Sequence, residues 1–120
     1  MHTAADFDIE LVNTILSETE IAVLFDDQLN YVAASAPAIQ HLKKTTQELI
    51  GRCILDVFPD VIASANHRNL LRALEGESIM NVRLIARNGV PFIATYIPVY
   101  PDGYVKGIVV YGRKIEEGTA

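Results

Sequence analysis

The last third of the chain alternates apolar and polar residues in a pattern that few folds accommodate. The alternation starts at Ser78, and turn signals at Asn88-Gly89 and Asp102-Gly103 divide it. Asn-Gly is typical of a tight hairpin, because both central residues of a type I′ turn need a positive φ. We therefore predict three successive strands, near residues 79–87, 90–99 and 106–115.

A second hairpin and a helix are predicted towards the N-terminus. Residues 21–25 and 31–34 are short apolar runs on either side of a polar turn, which favours two paired strands. Ahead of them, residues 6–19 carry apolar side chains at three- and four-residue spacing, as one face of an amphipathic helix does. This stripe consists of Phe7, Leu11, Val12, Ile15 and Leu16.

The middle of the chain contains start and stop signals for several helices. Ser35 can cap a helix, Thr45 to Glu48 has the spacing of a capping box, and Gly51 suits the end of that short helix. A longer helix is predicted over residues 61–75, ended by Gly76. Its predicted inward residues are Ile62, Leu70, Leu71 and Leu74. The order of elements predicts an α+β fold, a five-stranded antiparallel sheet with helices on one face.

Composition excludes several classes of protein. A length of 120 residues suits one domain, and a net charge of −5 lacks the basic footprint of a nucleic-acid-binding protein. No apolar run approaches the roughly 20 residues of a membrane span, and no Lys or Arg precedes Lys43, so a secretory signal is not expected. Cys53 is the single cysteine, which fits a cytoplasmic protein held together by its core.

No constellation for catalysis or metal binding is recognisable. The chain has no phosphate-binding loop, no nucleophile elbow and no His-Glu-x-x-His motif, so we do not expect an enzyme. Three scattered histidines, His2, His41 and His67, have no Cys or Asp at ligand spacing, so no metal site is predicted. Asp56 and Asp60 are more simply explained by helix dipoles.

The sequence resembles the PAS domain family from about Ile21 to Arg113. Glu48-Leu-Ile-Gly-Arg-Cys-Ile-Leu-Asp-Val-Phe-Pro59 is similar to a segment between the helices of that family, and residues 67–76 are similar to its long helix. The pattern Arg87-Asn-Gly, followed by Ile97-Pro-Val and Asp102-Gly103, is similar to its C-terminal hairpins. The resemblance implies a PAS domain over residues 20–116, preceded by an amphipathic helix over residues 1–19.

The resemblance also implies a function. PAS domains are sensory or docking modules of histidine kinases and transcription regulators, and they bind a small ligand between sheet and helices or form dimers. We expect a non-enzymatic, cytoplasmic, bacterial module of this kind, attached to the output domain of a longer signalling protein. A sensor that binds haem or flavin, a purely structural interaction domain and a small cavity-based enzyme remain alternatives.

Family analogy implies the position of a pocket. The residues on elements that would face each other across it are Tyr31, Cys53, Asn66, His67, Phe92 and Tyr96. Flavin-binding members use a cysteine near position 53, but the motif around Cys53 differs and the cysteine falls one place early, so a buried apolar role is favoured. His67 occupies the helix on which haem-binding members place an axial ligand, but their motif is not reproduced. No resident cofactor is expected.

The strand at 90–99 predicts an unusual outer surface. Alternation places Phe92, Ala94 and Tyr96 on one face and Ile93, Thr95 and Ile97 on the other. If the first set faces the helices, the second set forms an outer apolar patch, which should be covered. The cover is the N-terminal stripe, a second subunit, or both, and we expect a homodimer. Its interface would contain Phe7, Leu11, Ile15, Ile93, Ile97 and Tyr111.

Overall fold

The computed structural model describes residues 7–85, 89–100 and 103–115. Within these ranges the chain forms five α-helices, a 3₁₀ helix and five strands. Their bounds are α1 Ile9–Leu16, β1 Ile21–Asp26, β2 Tyr31–Ala34, α2 Ala36–Leu42, α3 Thr46–Leu49, α4 Ile54–Val57, the 3₁₀ helix Pro59–Ala63, α5 Ala65–Leu74, β3 Ile79–Ile85, β4 Pro91–Val99 and β5 Gly107–Lys114.

The five strands form one antiparallel sheet in the order β2-β1-β5-β4-β3. This confirms the predicted α+β fold. β1 and β5 lie next to each other at the centre, with Ile21 opposite Gly112 and Asp26 opposite Gly107. The loop after α3 runs along β2, because Tyr31 forms a bridge with Ile50. One edge of the sheet is therefore partly covered by the chain itself.

The inner face of the sheet carries the larger core. Val23, Phe25, Ala94, Tyr96 and Ile108 point from the sheet towards the helices that follow β2. Leu49, Ile54, Leu70 and Ala73 meet them from the helices, and all four are buried. The alternation along residues 90–99 therefore predicted the inward side of β4 correctly.

Helix α1 lies on the opposite, outer face of the sheet. Phe7, Val12 and Ile15 are buried there against side chains of β1, β2 and β5, namely Ala22, Leu24, Val32, Ala33 and Val109. The Asp8 side chain caps the helix by accepting a hydrogen bond from the Glu10 N–H at 2.8 Å. The predicted stripe thus folds back over its own sheet, which leaves the sheet apolar on both sides around β1.

Two helix predictions need correction. The helix expected over 61–75 is divided at Ser64, whose hydroxyl accepts a hydrogen bond from the His67 N–H at 3.2 Å and so starts α5. Because the 3₁₀ helix before it has a different period, Ile62 is 62% exposed and not inward. Leu71, at 44%, is also exposed, and so is Leu16 of the N-terminal stripe.

The predicted caps and turns are largely confirmed. The Ser35 hydroxyl accepts a hydrogen bond from the Ala38 N–H at the start of α2, and Thr45 and Glu48 form a reciprocal capping box. Gly76 follows α5 with φ +98°, as a helix stop requires. Five residues used in the sequence predictions lie outside the described residues, namely His2, Asp6, Arg87, Asn88 and Asp102.

Strand β3 contains an irregularity that the sequence did not predict. Its register with β4 shifts between Ile79 and Val82, so the strand bulges. Asn81 has a positive φ of +54° within the bulge, and its N–H donates to the Thr95 hydroxyl at 3.0 Å instead of to a carbonyl of β4. The bulge therefore interrupts the ladder at the outer edge of the sheet.

Candidate functional site

A cavity of about 940 Å³ lies between the inner face of the sheet and the helices. Its walls come from all five strands and from α2, α4, the 3₁₀ helix and α5. The lining is predominantly apolar and includes Val23, Phe25, Ala38, Leu42, Ile54, Phe58, Val61, Leu84, Phe92 and Val110. A cavity of this size and character is typical of sites for small organic molecules.

Tyr31 is the most deeply buried polar residue on the cavity wall, with 2% of its surface exposed. Its ring packs on Phe25, with the ring centroids 4.7 Å apart. Its backbone is engaged with the loop after α3, because its N–H donates to the Arg52 carbonyl and its carbonyl accepts from Gly51. Burial, with a smaller effect of Cys53, raises the pKa of the Tyr31 hydroxyl well above its usual range.

A second polar group reaches the cavity from α5. Asn66 lines the wall, and its Oδ1 accepts a hydrogen bond from the Tyr96 hydroxyl at 2.6 Å. Tyr96 itself is fully buried behind Asn66, and burial raises its pKa to about 12, while a hydrogen bond with Asn69 acts in the opposite direction. Tyr96 therefore stays protonated and fixes the orientation of the Asn66 amide.

His41 of α2 lies where the cavity adjoins a second, shallower groove of about 500 Å³. This groove is lined by Glu20, Gln40 and the end of β5, including Lys114. The Nδ1 atom of His41 is buried without a hydrogen-bond partner among the described residues. Burial, and then the charge of Lys114, lowers the pKa of His41, so its imidazole is neutral at neutral pH.

The charged residues of the cavity wall are confined to its rim. Lys43, Asp60 and Arg83 line the cavity, and all three are exposed. Among the described residues, the interior wall offers only neutral polar groups between apolar side chains. The site therefore has an uncharged interior and a charged opening.

The structure brings together three of the six residues that the sequence predicted for the pocket. Tyr31, Asn66 and Phe92 line the cavity, whereas Tyr96 lies behind Asn66. Cys53 and His67 are not on its wall. Inward residues of α5 follow helical spacing as Asn66, Asn69, Leu70 and Ala73, and His67 lies one residue off that face.

Cys53 has a different position from the one expected. It is the residue before α4, only partly buried, and its Sγ lies 3.6 Å from the Gln28 carbonyl oxygen. Cys53 therefore packs against the inner core, as the favoured apolar role implies, but it is only partly buried. His41 is a polar lining residue that the sequence analysis did not assign to the pocket. It lies three residues after the buried Ala38, and this helical spacing indicates that both residues are on the same face of α2.

The residues predicted for a dimer interface fall into two groups. Phe7 and Ile15 are buried under α1 within the protomer, and Leu11 and Tyr111 pack against the same outer core. Ile93 is only partly buried, and Ile97 is 36% exposed. The helix thus covers the outer face over β1, β2 and β5 and leaves the part over β3 and β4 open.

No group of three or more His, Cys, Asp or Glu side chains in the described part of the chain is arranged to hold a metal ion. None of the helices within the described ranges has the length and apolar character needed to cross a bilayer.

The sequence matches the PAS fold family over residues 18–119, and the chain belongs to this family. PAS domains are not usually catalytic in isolation. A search among curated proteins gave no match.

Several solved structures share this fold. A sensory box sensor histidine kinase from Vibrio cholerae has a TM-score of 0.70 at 14% identity, covering 89% of this chain and 87% of its own. The PAS domain of BvgS from Bordetella pertussis has a TM-score of 0.65 at 17% identity, with coverages of 92% and 87%. The LOV protein of Rhodobacter sphaeroides has a TM-score of 0.67 at 16% identity, with coverages of 94% and 71%.

Proposed function

We propose that this chain is a ligand-sensing module of a cytoplasmic bacterial signalling protein, of the histidine kinase or transcription regulator type. The observation that carries the proposal is the predominantly apolar cavity of about 940 Å³ that lies between sheet and helices. A purely structural interaction domain has no use for such a cavity, because a filled core would stabilise it better. The similarity to a sensory box histidine kinase supports the same class.

The mechanism we propose is a shift between two arrangements of the helices. Two short helices, α4 and the 3₁₀ helix, contribute one wall of the cavity, and each buries only a few side chains. A ligand that fits one arrangement better than another favours that arrangement in proportion to the difference in binding free energy. The sheet, apolar on both faces, would carry the change to its outer surface.

Native mass spectrometry of the intact purified chain tests the ligand-sensing proposal directly. We expect a small molecule to be retained after gentle desalting and to be lost after denaturation. A companion absorption spectrum distinguishes the haem and flavin alternatives, because either cofactor gives visible bands. His67 and Cys53 both lie off the cavity wall, which argues against haem ligation by His67 and against a flavin–cysteine bond.

We also propose that the chain forms a homodimer through the outer face of β3 and β4. The outer core under helix α1 includes neither Ile93 nor Ile97, so these two side chains of β4 remain open beside the helix, and Ile93 lies opposite Arg83 and Arg113 in the sheet. A second copy placed across a two-fold axis would cover the two isoleucines of both protomers at once.

Sedimentation velocity tests the dimer. The double substitution Ile93→Glu and Ile97→Glu should convert a micromolar dimer to a monomer, because four carboxylates would then meet across the interface. Ile62→Glu is the matched control, since Ile62 is equally apolar and 62% exposed but lies in the 3₁₀ helix. A monomeric parent chain at micromolar concentration contradicts the proposal, and so does a dimer unaffected by the double substitution.

A further inference from the structure

The Tyr31 hydroxyl makes no hydrogen bond with any residue that the structure describes, since the hydrogen bonds of Tyr31 are made by its backbone. Although the residue as a whole is only 2% exposed, the hydroxyl oxygen keeps accessible surface, and Tyr31 lines the cavity. A hydroxyl that faces a mainly apolar space is stabilised by a hydrogen-bond partner there. A molecule in the cavity can therefore supply the acceptor that the protein does not.

The Asn66 amide presents a second donor to the same space. Its Oδ1 is occupied by the Tyr96 hydroxyl at 2.6 Å, and Tyr96 donates because it remains protonated. The other half of the amide, Nδ2, makes no hydrogen bond within the described residues, and Asn66 is on the cavity wall. Asn66 Nδ2 can only donate a hydrogen bond, and the Tyr31 hydroxyl can donate or accept one, so an acceptor oxygen suits both groups.

Charge complementarity limits the ligand further. The charged residues of the wall, Lys43, Asp60 and Arg83, are all exposed at the rim, and the interior is apolar apart from neutral groups. An ionised group placed in that interior would lose its hydration without gaining an ion pair. A ligand that fills the interior should therefore be uncharged and apolar, with an oxygen that accepts hydrogen bonds.

We propose that the cavity binds an uncharged, predominantly apolar carbonyl compound, whose oxygen accepts a hydrogen bond from the Tyr31 hydroxyl, with Asn66 Nδ2 as the second donor. This inference rests on the proposed sensory function and names the chemical class that the sensor detects. An apolar body fills the space between Phe25, Phe58 and Phe92. The carbonyl group supplies the acceptor that the folded chain itself does not.

Three probes of nearly equal size test the chemical class. They are 2-acetylnaphthalene, which has the carbonyl group, 2-ethylnaphthalene, which lacks it, and 2-naphthoate, which carries a charge. The chain has no Trp, so naphthalene fluorescence reports binding without interference from an indole. We expect the ketone to bind the full chain about five- to tenfold more tightly than the hydrocarbon, as one hydrogen bond predicts. The carboxylate should bind at least tenfold more weakly than the ketone.

Two variants test the donors. Tyr31→Phe should weaken ketone binding about five- to tenfold and leave hydrocarbon binding unchanged. Asn66→Asp keeps an oxygen for Tyr96 but replaces the donor with an acceptor, so it should also weaken ketone binding. Tyr104→Phe is the matched control, because Tyr104 is 55% exposed and not on the cavity wall. Thermal unfolding of each variant shows that it is folded before binding is measured.

The outcomes separate this inference from the proposed function. If the hydrocarbon or the carboxylate binds as tightly as the ketone, the chemical class is wrong while the cavity remains a ligand site. An unchanged ketone affinity in Tyr31→Phe overturns the role of that hydroxyl, and the same result in Asn66→Asp overturns the second donor. If none of the three probes binds up to its solubility limit, both the class and the ligand-sensing function are refuted.

Discussion

The two buried tyrosines of the site should respond in opposite ways to loss of their hydroxyl groups. Tyr96 is fully buried and donates to Asn66 at 2.6 Å, so Tyr96→Phe removes a hydrogen bond and leaves an amide oxygen without its partner. Such a loss costs about 1–2 kcal/mol of unfolding free energy. Tyr31→Phe removes a hydroxyl that has no partner among the described residues, so it should be neutral or stabilise by up to about 1 kcal/mol.

Equilibrium unfolding in urea, in ligand-free protein, measures this difference. The two variants should differ by about 2 kcal/mol, and an m-value of about 1.5 kcal/mol/M, within the range for small domains, converts this into midpoints about 1.3 M apart. Tyr96→Phe should unfold below the parent chain and Tyr31→Phe at or above it. Equal losses in both variants, or a loss above about 1 kcal/mol in Tyr31→Phe, would show that the Tyr31 hydroxyl is satisfied in the folded chain.

Three further predictions follow from the same structure. Gly107→Ala should cost about 2–3 kcal/mol in the same urea experiment, because a Cβ there would lie 2.2 Å from the Phe25 carbonyl oxygen, whereas in Gly112→Ala the nearest atom is at 3.5 Å and the change should be tolerated. Lys114→Met should raise the pKa of His41 towards 6.5 in an NMR titration of its imidazole, since the lysine charge contributes to lowering it; no change would refute that contribution. The two buried tyrosines should resist ionisation in a phenolate absorbance titration up to about pH 12. Because the folded pKa of Tyr96 is raised from 10.0 to about 12, the stability it confers, up to about 2.7 kcal/mol, is present below pH 10 and is lost as the pH rises through 12. Ionisation of all tyrosines near pH 10 in folded protein would contradict this.

The strands of the sheet were predictable from the sequence because successive side chains of a strand point to opposite faces of the sheet. Alternation divides β4 into two apolar faces, and the resemblance to the family implies that Phe92, Ala94 and Tyr96 face the helices, as the structure confirms. The apolar stripe of α1 also predicts a cover for the outer face, but it does not decide between its own sheet and that of a second subunit; the structure places the helix over its own sheet. Both patterns depend on periodicity and need no long-range information.

The cavity was predictable only in part because its wall depends on where each short helix starts. One capping residue, Ser64, sets the phase of α5 and so places Asn66 on the wall and His67 off it. The sequence suggested one continuous helix, and the same error made Ile62 appear inward. Likewise, Cys53 contacts the turn after β1 because it precedes α4, a contact that no periodicity reports.

The bulge at Asn81 has a consequence for how copies of this chain can associate. β3 is the open edge of the sheet, and it carries the exposed side chains of Met80 and Ile85, a combination that invites the addition of a foreign strand and fibril growth. A left-handed residue in mid-strand kinks this edge and breaks the even row of amides that an incoming strand would need. The bulge therefore disfavours pairing of strands at this edge. Two copies of the chain would instead associate by packing the faces of their sheets together.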